Sequence, residues 1–251
     1  MKVQNVLSIF ICFLCLNSVF YLTGCEKTKT VDKSQKEIPQ VQQEEVPLIP
    51  LDDSEGVATL TRNFYFIFDG SGSMANKVSG GEQQFENKLV GAKWAVRQFM
   101  TKVPDDVNLG LYVFDGNGRR EVVALGSGNR ERFLSAVEQI RAGGGTPLFS
   151  AITFGADQLV NQYKQQLGYG EYRLIVVTDG IADNISSAAR YTDRFGIPIY
   201  TIGLYIGEDH PLRQFSMSYR AADNFEDLAR ALEETVAELP SFDVTEFQAL
   251  Q

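Results

Sequence analysis

Thiols, imidazoles and basic side chains are all scarce in this chain of 251 residues. The three cysteines, Cys12, Cys15 and Cys25, lie at or before position 25, and the single histidine is His210. A zinc or copper site built from thiolate and imidazole therefore has almost no material. Lysine and arginine number 23 against 32 aspartates and glutamates, a net charge of −9. Such a surface argues against nucleic acid and against electrostatic adhesion to anionic lipid heads. No G-x-x-x-x-G-K-[ST] sequence occurs, and Gly70-Ser71-Gly72 followed by Ala75 lacks the third glycine of a dinucleotide loop, so nucleotide binding has little support. There is no internal repeat and no sign of a second folded domain.

The chain begins with an address. Met1 and Lys2 form a thin positive start, Val6 to Leu22 is mostly apolar, and Leu22-Thr23-Gly24-Cys25 closes the segment. A secretory signal has this layout, and the ending resembles a bacterial lipobox, whose cysteine is lipidated and becomes the first residue of the mature protein. The expectation is a signal peptide over 1–24 and a lipid anchor on Cys25. A transmembrane helix is the alternative, disfavoured by the polar interruption at Asn17 and Ser18. Cys12 and Cys15 would leave with the signal, so no thiol remains for a disulfide. Residues 25–57 are rich in Lys, Gln, Glu and Pro without helical or strand period, which predicts a solvated tether with a mean span of about 30 Å. Glu26, where certain Gram-negative lipoproteins carry an aspartate that retains them in the inner membrane, points to the outer membrane if there is one. The expected location is the cell envelope, facing the periplasm or the exterior.

From 58 to 240 the two periods of α/β folds alternate, and 241–251 is left as a tail. Phe64 to Phe68, Leu109 to Phe114, Val122 to Leu125, Leu174 to Val177 and Pro198 to Leu204 are short apolar runs that predict strands buried on both faces. Phe85, Leu89, Ala92, Val96, Phe99 and Val103 have helical spacing, as do Phe149, Ile152, Ala156, Val160, Tyr163 and Leu167, and finally Leu228, Ala231, Leu232, Val236 and Leu239. Asp115-Gly116-Asn117-Gly118 predicts a hairpin. The fold class that follows is α/β, Rossmann-like and doubly wound, a mostly parallel sheet with one antiparallel edge strand and helices on both faces.

Three oxygen-rich stretches stand out. Asp69-Gly70-Ser71-Gly72-Ser73 and Thr178-Asp179-Gly180 each follow a strand, and Gly144-Gly145-Thr146-Pro147-Leu148 lies between them. In open α/β sheets the loops at the carboxyl ends of parallel strands converge on one crevice. Asp69 and Asp179 offer carboxylates, and Ser71, Ser73 and Thr146 offer hydroxyls, a set suited to a hard cation such as Mg²⁺, or Mn²⁺. The alternating glycines are expected to turn the backbone sharply after Asp69. Asp69-x-Ser71-x-Ser73, Thr146 in Gly-Gly-Thr-Pro-Leu and Asp179 in Val-Val-Thr-Asp-Gly together resemble the metal-ion-dependent adhesion site of the von Willebrand factor A domain family, over roughly Ala58 to Leu239. The resemblance implies a Rossmann-like fold and a metal-bridged hold on the acidic side chain of a protein partner. It does not imply catalysis.

Rival readings have specific weaknesses. Phe68-Asp69-Gly70-Ser71 resembles the start of the haloacid dehalogenase motif of Mg²⁺-dependent phosphotransferases and phosphatases, but that chemistry wants an acid where Ser71 stands. A serine hydrolase would need His210 as base, and nothing in the spacing places it there. A structural module with a vestigial metal site is the third alternative. Trp94 falls off the apolar stripe of its helix and is expected to cover a neighbouring loop, an exposed partner anchor being the alternative. His210 is expected to be a surface histidine in the loop after the Pro198 to Leu204 strand, a functional place near the top of the sheet being the alternative.

Overall fold

The computed structural model describes residues 56–78, 85–180, 184–205, 210–222 and 224–237. The signal segment, Cys25, most of the tether, Leu239 and the tail lie outside these residues. The elements run β1 (Arg62–Asp69), α1 (Lys88–Met100), β2 (Asn108–Asp115), β3 (Gly118–Gly126), α2 (Arg130–Glu138), α3 (Leu148–Gln165), β4 (Glu171–Thr178), α4 (Ile185–Asp193), β5 (Ile199–Leu204), β6 (Ser218–Ala222) and α5 (Phe225–Ala237). They build one six-stranded sheet in the order β3-β2-β1-β4-β5-β6, parallel throughout except for β2 against β3. This is the expected α/β class with its one antiparallel edge strand.

β1 is the centre of the sheet because it can be buried on both sides. Alternate residues of a strand face opposite ways. Phe64, Phe66 and Phe68 enter a core with Phe99 of α1, Phe133 of α2 and Phe225 of α5. Tyr65 and Ile67 enter the other, with Leu148, Ile152 and Leu159 of α3 and Ala188 of α4. A strand with one polar face would have to leave that face in water, and β1 has none between Asn63 and Asp69.

Several expectations are corrected here. β3 is not buried on both faces; only Val123 is buried, because β3 is an edge strand whose Arg119, Arg120 and Glu121 reach solvent or ion partners. α1 starts at Lys88 rather than Phe85, since Asn87 caps it by accepting a 3.0 Å bond from Val90 N, and Val103 is buried beyond its end. α3 keeps the middle of the expected stripe, with Ile152, Ala156 and Val160 buried and Tyr163 packed against the core, but differs at its two ends. Phe149 is 43% exposed while Leu148, Ala151, Ile152, Gly155 and Leu159 face the sheet, and Leu167, at φ 55°, lies past the helix end. Trp94 is half-buried with its ring 5.5 Å from that of Phe85, so it covers the segment leading into α1. α2, α4 and β6 had no sequence signal strong enough to mark them: β6 reads Ser-Tyr-Arg-Ala-Ala, with no β-branched residue.

Candidate functional site

Asp69 and Thr178 end the neighbouring strands β1 and β4, whose register pairs Phe68 with Val177. The Asp69 carboxylate is fully buried and held on both oxygens: Oδ1 accepts from Ser71 N at 2.8 Å and Oδ2 from Thr178 Oγ1 at 2.6 Å. Burial pushes its pKa up, opposed by the hydrogen bonds of Ser71 and Thr178 and assisted by the charge of Asp179. A carboxylate so desolvated, with a second acid near it, favours any cation that reaches it.

The glycines of this loop act through space rather than dihedral freedom. Neither Gly70 nor Gly72 has a positive φ. A Cβ on Gly70 would lie 2.7 Å from Ile140 Cγ2 and 2.8 Å from Asp115 Cβ, so only glycine lets the loop pass under the end of β2. Three backbone bonds then weld the loop to its neighbours: Gly70 N to Phe114 O, Gly143 N to Gly70 O, and Gly72 N to Gly144 O, at 2.8, 2.9 and 3.1 Å. The expected sharp turn is thus a clamped one, and the same bonds bring in the Gly144-Gly145-Thr146 segment. Gly144 does need its positive φ of 77°.

The remaining ligand candidates converge on Asp179. Ser71 Oγ lies 3.1 Å from Ser73 Oγ, and Ser73 Oγ donates to Asp179 Oδ1 at 2.7 Å. A methyl on Gly180 would sit 3.3 Å from Thr146 Oγ1 and 3.9 Å from Asp69 Oδ2, which places the Thr146 hydroxyl in the same cluster. All five residues singled out from the sequence therefore meet at the carboxyl end of the sheet. No group of three or more His, Cys, Asp or Glu side chains placed to hold a metal ion occurs among the described residues. The donor set is two carboxylates and several hydroxyls, oxygen throughout, and such a set fits a hard divalent cation held loosely rather than a soft one.

Three further residues serve this end of the sheet and were not assigned to it from the sequence. Lys88, the first residue of α1, places Nζ 2.8 Å from Asp179 Oδ2. A cation there opposes the positive end of the helix dipole, and that misfit was the available signal. Asp115 ends β2, accepting from Asn117 N, Arg120 and Arg141 N, so it ties the hairpin to the segment leading to Gly144. Burial acts to raise its carboxyl, but these hydrogen bonds and the Arg120 charge outweigh it and hold the pKa below the ordinary value. His210 corrects the expectation of a surface histidine. It is buried; Nδ1 accepts from Leu212 N, which leaves the proton on Nε2 to be donated to Gly180 O at 3.0 Å, and the ring stacks on Tyr219. Its place after β5, at the same sheet end as Asp179, explains the contact: it braces Gly180, the residue after Asp179. Burial pushes its pKa down, with the Gly180 bond acting the other way.

Beside Thr146 opens a cleft of about 490 Å³, backed by Phe114 and bounded by Arg119, Gly144, Gly145 and Pro147. No helix among the described residues is long and apolar enough to cross a membrane.

Comparison with known proteins extends these observations. Among curated proteins the chain is similar to the uncharacterized protein YwmC of Bacillus subtilis (strain 168), 24% identical over 173 residues, 62% of this chain and 72% of that one. Among solved structures it is similar to the pilus adhesin SpaC of Lactobacillus rhamnosus GG, with TM-score 0.55 and 16% identity, over 73% of this chain but only 31% of the adhesin. It is also similar to the vWF domain of the type V pili tip protein Mfa5 of Porphyromonas gingivalis, with TM-score 0.54 and 12% identity, over 72% of this chain and 96% of that domain. At these identities the structural likenesses establish the fold. Residues 63–249 match the von Willebrand factor type A domain, and the chain belongs to that family.

Proposed function

We propose that the protein is a lipid-anchored binding domain of the cell envelope that grips a protein partner through a divalent metal, Mg²⁺ or Mn²⁺. The observation that carries the reading is the convergence of Asp69, Ser71, Ser73, Thr146 and Asp179 on one point at the sheet end. Asp69, Ser71 and Ser73 would hold the ion directly or through water, Asp179 would hold a coordinating water, and Thr146 would join when a partner is bound. When bound, the metal would supply an electron-poor position for an incoming Asp or Glu carboxylate. Around it the chain does the rest: Thr178 and Ser71 N orient Asp69, the three backbone bonds from Gly70, Gly72 and Gly143 fix the loops, and His210 steadies Gly180. The cleft beside Thr146 gives a partner's neighbouring side chain room to approach.

The envelope location rests on the lipobox at Leu22 to Cys25, with 1–24 as signal, 25–57 as tether, 58–240 as the domain and 241–251 as tail. It agrees with a fold shared with pilus proteins. The reading ends at binding, without catalysis. Crosslinking from intact cells tests it: proteins captured by wild type in Mg²⁺, and lost both in chelator and with Asp69→Ala, are the partners. Capture that persists in chelator overturns the metal. Phosphatase turnover that survives Ser71→Ala but not Asp69→Ala overturns the binding reading in favour of phosphoryl transfer.

A further inference from the structure

We infer that Lys88 is a built-in counter-cation of this site, which weakens its hold on a divalent ion and biases the loaded site toward an anionic ligand. The inference rests on the metal reading above and concerns what sets its strength.

Asp179 is fully enclosed at its side chain and divides its oxygens between two partners, Ser73 on Oδ1 and Lys88 on Oδ2. The Lys88 side chain is itself only 15% exposed. Its ammonium lies 5.6 Å from the centroid of the Tyr205 ring, a cation–π geometry. Backbone holds it too: Lys88 N donates to Asn76 O at 3.1 Å, which fastens the start of α1 to the short turn following the Asp69 loop. The ammonium is thus aimed from a helix end whose own dipole repels it, and the compensation comes from Asp179 and the aromatic face.

Charge decides the consequence. With both carboxylates ionised, as a bound metal requires, the one ammonium on Asp179 leaves the cluster with a single negative charge. A divalent ion entering meets half the attraction that two bare carboxylates would offer, and Asp179 must loosen its bond to Lys88 or share it. Once the ion is in, the cluster carries one positive charge, which one external carboxylate cancels. Without Lys88 the loaded cluster would be neutral and would have less call for that ligand. The residue therefore trades metal affinity for appetite toward an acidic partner.

Mn²⁺ titration of the full-length protein, read by the electron paramagnetic resonance signal of the free ion, tests this with the metal alone as probe. Wild type is compared with Lys88→Met, Lys88→Arg and Asp69→Ala. Lys88→Met should bind roughly tenfold more tightly, since a unit charge at this distance has gone, and Lys88→Arg should stay near wild type. Adding acetate should tighten Mn²⁺ binding by wild type more than by Lys88→Met. Equal or weaker binding by Lys88→Met, with wild type binding and Asp69→Ala not, overturns the role of Lys88 and leaves the metal reading intact. Binding by neither wild type nor Lys88→Met, or by Asp69→Ala as well as wild type, overturns the metal reading itself. A purely structural Lys88 would lower affinity when lost, the opposite sign.

Discussion

Both ends of the sheet bury polar side chains, and they do so on opposite terms. At the amino end of the parallel strands, Asn63 donates to Gln166 Oε1 at 2.7 Å and to the carbonyls of Thr61 and Glu171, while its own Oδ1 accepts from Asn108 at 2.8 Å. Gln166 in turn donates to Thr59 Oγ1, and the Tyr172 hydroxyl donates to Gln166 Oε1. This network has no charged side chain, and its bonds close within the domain. At the carboxyl end two carboxylates, Asp69 and Asp179, lie near each other with one ammonium, Lys88, on Asp179, and the hydroxyls around them keep unused lone pairs. A closed neutral network adds to stability. An unbalanced charged one invites something from outside, and on the proposed reading that difference marks the carboxyl end as the binding end.

The comparison can be broken most directly by Asp69→Ala. Divalent-dependent capture of a partner should disappear, and the rise in melting temperature that millimolar Mg²⁺ gives wild type by mass action should vanish with it. Circular dichroism should be unchanged. Asn63→Leu tests the other end. It leaves the buried Asn108 amide without its acceptor and takes from Gln166 Oε1 its shortest donor, and urea denaturation should show a loss of about 2–4 kcal/mol. The Mg²⁺ shift should survive intact; its loss would mean that the two ends are coupled.

Gly70→Ala sits between these cases. The added Cβ would meet Ile140 and the Asp115 Cβ at under 3 Å, so stability should fall by about 1–3 kcal/mol, and Mg²⁺ affinity should fall too, because the loop must shift. The smallest effect concerns His210. Its pKa is lowered on folding from the ordinary 6.5 by burial, so the unfolded chain takes up the proton first. Its contribution should be fully present at neutral pH, begin to fade as pH falls through 6.5, and be gone below the folded pKa. Urea titrations between pH 7.5 and 5, about the range in which histidine titrates, should show a steeper decline for wild type than for His210→Gln.

What the sequence made legible follows from how locally each feature is encoded. β1, β4 and β5 announce themselves as dense apolar runs, and the hairpin as Asp-Gly-Asn-Gly between two strands. Asp69 and Asp179 stand out because each directly follows such a run, so strand and site are read in one glance. Lys88 and His210 were not legible as parts of the site. Each reaches it from an element well separated in sequence, and nothing in Asn87-Lys88-Leu89 or His210-Pro211 states which loop it will touch. The need for glycine at position 70 was visible, but its cause was not. Crowding by Ile140 and Asp115 appears only once β1, β2 and the segment after α2 are side by side. Only the first member of the α3 stripe was misassigned, because Leu148 and Phe149 are both apolar and only the packed helix selects which one turns inward.

The direction of β1 carries a mechanical consequence. The chain comes into β1 at Arg62 and reaches Asp69 seven residues later, so on the proposed reading the point of attachment and the point of grip would be the two tips of one strand. A load between a tether and a captured partner would run along that strand's axis. β1 lies between β2 and β4, both parallel to it and both paired along nearly its whole length. Pulled lengthwise, it has to slide against both neighbours at once, and the hydrogen bonds on either side resist together instead of opening one after another. A sheet wired in this way is suited to holding under tension.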